Sequence, residues 1–109
     1  MVVYAIEFSV VTSNGSNNSE TTVLLDGCGA FTSAADAMEE CVKMARDDIC
    51  AYLEDDELDP DDESSWPMVH IDENSSVVSF DYYSEKDGID RTVTYRVLGL
   101  EVHKVDGTT

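Results

Sequence analysis

Only one stretch of this chain repeats its apolar residues at helical spacing, and that single stripe limits the folds open to it. Met38, Cys41, Val42, Ala45, Ile49, Tyr52 and Leu53 recur at intervals of three and four, so at about 100° per residue they share one face of a helix. Ser33 is a suitable N-cap, and Asp36, three residues on, resembles a capping box with a shorter acid in place of Glu. The spacing predicts a helix from Ser33 to about Glu54. With no second helix to cover this one, the stripe must pack on a sheet.

The rest of the chain supplies that sheet. Val2, Tyr4, Ile6, Phe8 and Val10 are apolar at every second position while Glu7 and Ser9 interrupt the others, which predicts a strand over 2–11 with one buried face. The residues from Thr12 to Glu20 read as a polar loop, and Thr21 to Asp26 as a second strand completing a hairpin with a long tip. Asp26-Gly27-Cys28-Gly29-Ala30 breaks it. After the helix, Met68–Ile71 and Val77–Tyr83 are strands, Ser84–Asp90 is a turn around Asp87-Gly88, and Thr92–Leu98 and Leu100–Val105 flank Gly99 as a bulge or kink. The last strands should form a meander, and Asp106 to Thr109 should fray. Residues 1–109 are thus expected to form a single α+β domain in ββαβββ order, an antiparallel sheet of about five strands with one amphipathic helix across one face. The opposite sheet face is expected to be partly solvated, with Val3, Val11 and one side of the Tyr82-Tyr83 strand as a semi-exposed apolar or aromatic surface.

Charge narrows the function. The 109 residues hold 24 Asp and Glu against 6 Lys and Arg, a formal charge of -18. Self-repulsion at that density opposes compaction, so a binding role outside the fold is the expected reason for it. The sign disfavours direct contact with nucleic acid, which needs a basic footprint, and with anionic membrane. It matches nucleic acid itself, which makes a nucleic-acid-binding protein with a basic groove the expected partner.

Two places concentrate the acids. On the helix face opposite the stripe, Asp36, Glu40, Asp47 and Glu54 align with Glu39 beside them, Lys43 and Arg46 partly offsetting. Successive carboxylates there are about 6 to 10 Å apart at the standard rise, a spacing of the order of that between backbone phosphates. The run Glu54, Asp55, Asp56, Glu57, Leu58, Asp59, Pro60, Asp61, Asp62, Glu63 then places eight carboxylates in ten residues with no base. Pro60 and mutual repulsion argue against helix, so residues 54–65 are expected to be an exposed acidic loop, extended or mobile.

Enzymatic readings find little support. Acid–base catalysis needs two carboxyls made unlike by their surroundings, and acids on a solvated ridge stay alike. Asp59, Asp61 and Glu63 alternate as calcium ligands would, but no EF-hand glycine or twelfth-position Glu accompanies them. His70 and His103 with Cys28, Cys41 and Cys50 lack zinc-site spacing, and Cys41 fits better as a core residue, while Cys50 falls on the polar face. Gly27-Cys28-Gly29 is too short for a phosphate loop. No catalytic residue, metal or cofactor is expected. Three cysteines that cannot all pair, an N-terminus without a basic region and no stretch of membrane-spanning length suit reduced thiols in a cytosol, the host cell's if the chain is phage-encoded. The three Asn-X-Ser matches beginning at Asn14, Asn17 and Asn74 are then accidental.

In its length, its surplus of acids, its acidic helix face (Asp36, Glu39, Glu40, Asp47) and the run Glu54 to Glu63, the chain resembles the small acidic DNA-mimic proteins, anti-restriction and anti-CRISPR, that phages and other mobile elements direct against host defences. The resemblance is one of composition. It implies a non-enzymatic inhibitor that covers the DNA site of a CRISPR-Cas nuclease, a surveillance complex or a restriction enzyme. Two other expectations compete: an acid-rich surface adapted to high salt, as the three lysines and abundant Val and Thr would suit, and an interaction module using the Tyr82-Tyr83 sheet face.

Overall fold

The computed structural model describes residues 2–15, 17–25 and 31–101. Strand β1 (Val2–Ser13) and strand β2 (Asn18–Leu25) form a hairpin, helix α1 (Ala34–Asp55) follows, and β3 (His70–Asp72), β4 (Val77–Ser84) and β5 (Ile89–Glu101) complete the chain. The sheet order is β2-β1-β5-β4-β3 with every pair antiparallel. The expected ββαβββ order and single five-stranded sheet are thus present, with β3, β4 and β5 as a meander. Helix α1 carries the chain from the β2 edge to the β3 edge, and the meander returns to pair β5 with β1.

The helix begins as its sequence dictates, with the Ser33 side chain accepting the Asp36 N–H. Ala37, Cys41, Ala45, Ile49 and Leu53 are fully buried on its inner face. Three of these are small, which lets the helix lie close to a sheet face of larger side chains: Ile6, Val78, Phe80, Tyr82, Val93 and Tyr95. Two buried tyrosines supply polar anchors as well as apolar area. The Tyr95 hydroxyl donates to the Asp48 carboxylate, and the Tyr82 hydroxyl donates to Asp56 at the helix end.

The chain departs from expectation in four places, each for a physical reason. The polar segment 12–20 is mostly strand, because the β1–β2 ladder continues to Ser13↔Asn18. A turn at Asn14–Asn17 closes it, with Gly15 at φ +93° and Asn14 Oδ1 accepting the Asn17 N–H. Gly99 neither kinks nor divides the last strand, since it pairs with Tyr4 in unbroken register from Val2↔Glu101 to Ser13↔Asp90. Strand β3 starts at His70 rather than Met68, for Pro67 has no N–H to offer a ladder and Met68 projects into solvent. One side of the Tyr82-Tyr83 strand is exposed as expected, for Tyr82 faces the helix and is 5% exposed, whereas Tyr83 is 59% exposed on the other face. Finally, the acidic segment is neither extended nor a loop throughout, as described below. The break at Asp26–Ala30, Cys28, His103, the strand end beyond Glu101 and the fraying terminus lie outside the described residues.

Candidate partner-binding surface

The acidic surface is built on the helix and on the turns that follow it. Asp36, Glu39, Asp47, Glu54 and Asp55 are exposed on α1 and Glu40 is half-buried. The run Glu54 to Glu63 splits: its first two residues complete the helix, and Glu63 opens a short 3-10 helix, Glu63–Ser65. Between them the chain is folded. The Glu57 N–H donates to the Glu54 carbonyl and the Leu58 N–H to the Leu53 carbonyl, the pair of bonds of a Schellman motif, with Glu57 at φ +62° in the position glycine usually takes.

Beyond the motif the acids themselves act as backbone acceptors. Asp59 Oδ1 accepts the Asp61 N–H at 2.9 Å, and Asp62 Oδ1 accepts the Ser64 N–H at 3.1 Å and its hydroxyl at 2.6 Å. The last two bonds hold the Asp62 carboxyl below its ordinary range. The Trp66 indole donates to the Pro60 carbonyl at 2.8 Å, which ties the run back toward α1. Asx turns of this kind satisfy backbone donors without helix or sheet, so the repulsion among the acids does not force an extended chain.

Of the twelve acids that sequence reasoning assigned to a binding surface, ten are exposed; Glu40 and Asp56 are half-buried. Asp56 has a structural task. It caps α1 and accepts hydrogen bonds from the Tyr82 and Ser84 hydroxyls. Burial raises its pKa, but those two bonds, with Arg91 and Lys86 nearby, outweigh burial and hold it below the ordinary value. Few cations offset the rest. Lys86 reaches Glu57 at 3.5 Å and Arg46 reaches Glu63 at 3.9 Å, both at exposed positions where such pairs contribute little.

Asp48 was missed by pattern alone. It sits one step off the ridge, at the edge of the apolar stripe beside Cys41 and Tyr52 on the helical wheel, and that flanking position was its only signal. Burial, and then Asp47, raise its pKa. It borders a pocket of about 330 Å³ floored by Phe8, Leu25, Met44 and Tyr95.

The last turn of α1 places its acids against the helix dipole. Asp36, in the first turn, is favourably placed, but Glu54 and Asp55 stand at the negative end, where the last turn holds no basic residue. Each such charge opposes helix stability by about 0.3–1 kcal/mol at low salt. Among the described residues no group of three His, Cys, Asp or Glu is arranged to hold a metal ion, and no helix is long and apolar enough to cross a membrane. A polar row of Thr22, Ser9, Thr94, Ser79 and His70 crosses the middle of the outer sheet face, with Val3, Leu24 and Leu100 to one side of it and Val11 and Tyr83 to the other, Leu24, Leu100, Val11 and Tyr83 being exposed. The chain matches no family model, no curated protein and no solved structure.

Proposed function

We propose that the protein is a non-enzymatic inhibitor that binds a DNA-binding host-defence protein, a CRISPR-Cas effector or a restriction enzyme, and blocks its nucleic-acid site with a DNA-like acidic surface. The observation that carries this reading is the run of mostly exposed acids that passes from the last turn of α1, where Glu54 and Asp55 oppose the dipole, into the turns that follow. Carboxylates chosen for solubility alone have no reason to gather at the negative end of a helix or to continue through a folded set of turns. The exposed members are Asp36, Glu39, Asp47, Glu54, Asp55, Glu57, Asp59, Asp61, Asp62 and Glu63. Held on a helix and on local turns rather than on an unstructured tail, they lose little freedom on binding, which favours affinity as well as fast electrostatic encounter.

The protein immobilised on beads and exposed to bacterial lysate tests the reading. Nucleic-acid-binding proteins are expected to be retained in dilute buffer and released by a salt gradient, as counter-charge contacts require. Retention of no such protein would overturn it.

A further inference from the structure

Along the flank of α1 that faces β3 runs an open apolar groove with an acidic rim. Two cavities, of about 480 and 350 Å³, share Val42 and Ile71 and so form one channel. One end is bounded by Ala34, Ala35 and Met38, the other by Arg46, Trp66 and Val69. From Ala34 to Arg46 this is about 18 Å at the standard helical rise, or three turns. Its floor is open to water for apolar side chains in so charged a molecule: Ile71 is 52% exposed, and Met38 at one end is half-buried. An exposed apolar strip rimmed by polar groups marks a contact site, and methionine adapts its shape to different partners.

The rim states the charge of the occupant. Glu39, Glu63 and Glu73 line the channel, and Asp72 adjoins it. Arg46, the one cation among its lining residues, is already engaged, 3.9 Å from Glu63 and with its guanidinium 5.5 Å from the centre of the Trp66 ring. From this geometry we infer that the groove receives a basic amphipathic helix of a protein partner, with apolar side chains at i, i+3, i+4 and i+7 seated on Val42 and Ile71 and with Lys or Arg meeting the rim. The apolar floor of the groove is separate from the DNA-like surface, whose ridge Asp36, Glu40, Asp47 and Glu54 points away from the sheet, although the rim acids Glu39 and Glu63 belong to both.

The probe is a synthetic peptide of about fourteen residues, Leu and Lys with Leu at helical spacing, titrated into the isotopically labelled protein by NMR. A control peptide has the same composition with Leu and Lys strictly alternating. The helical peptide is expected to shift resonances of Met38, Val42, Trp66 and Ile71, and the alternating one to bind more weakly. Ile71→Ser, at a position half open to solvent, is expected to keep the native spectrum and to weaken binding about tenfold, the loss expected for one apolar anchor. Three results would overturn the inference: shifts confined to the ridge and to residues 54–62, equal affinity for the alternating peptide, or unchanged affinity in Ile71→Ser. None of these bears on the lysate experiment, so failure here leaves the inhibitor reading standing.

Discussion

The Asp48 carboxylate, half-buried next to Asp47, accepts from the Tyr95 hydroxyl. Burial and then the Asp47 charge raise its pKa above the ordinary value of 3.8. Between 3.8 and that raised value the folded chain binds more protons than the unfolded one, so stability is greatest below the interval and falls as pH rises through it. Asp48→Asn keeps an oxygen for Tyr95 and removes the charge. Its melting temperature is expected to exceed the parent's by about 2–4 °C at pH 7, a small gain because the site is half open to solvent. The gain should vanish near pH 3, where the parent carboxyl is also protonated; an equal gain at both pH values would contradict the assignment. Asp56 has the opposite sign. Its lowered pKa means that its contribution is present above 3.8 and is lost as pH falls through the folded value.

Helix α1 shows what a linear pattern carries and what it leaves out. Its start and its buried face were legible because an N-cap and a 3.6-residue period are local properties, and Ser33 and the stripe behave accordingly. Its end was legible to one residue, but the manner of ending was not, because a Schellman motif normally announces itself with glycine and here uses Glu57. A side chain in the left-handed region costs about 1 kcal/mol or more. Glu57→Gly is therefore expected to raise unfolding free energy by about 0.5–1 kcal/mol in urea melts, net of the extra freedom of glycine in the unfolded chain; a loss of stability would show that the Lys86 contact outweighs the strain. The role of Asp56 was invisible for another reason. Its partners Tyr82 and Ser84 lie 26 and 28 residues away and meet it only once the β4 register is set. The unbroken β5 has the same origin, since Gly99 reads as a break until its ladder with β1 is known.

At the scale of the whole molecule, two layers leave one helix face and the turns after it free to carry charge while the core remains ordinary. The fold class could be read from periodicity because one helix and several strands admit few compact solutions. The acidic surface could be read as composition but not as shape, since nothing in a run of carboxylates predicts that Asp59 and Asp62 will fold it through their own side chains. If the protein is an inhibitor of this kind, those exposed carboxylates make the contact. The direct measurement is competition with DNA for a nuclease retained from lysate, comparing the parent with a variant in which Glu54, Asp55, Glu57, Asp59, Asp61, Asp62 and Glu63 become amides. Asp56 stays intact, and Asn at 59 and 62 preserves the turn acceptors. The variant is expected to stay folded by circular dichroism and to lose competition by about two orders of magnitude or more, as removal of several interfacial charges should cause. Undiminished competition by the folded variant would contradict the account.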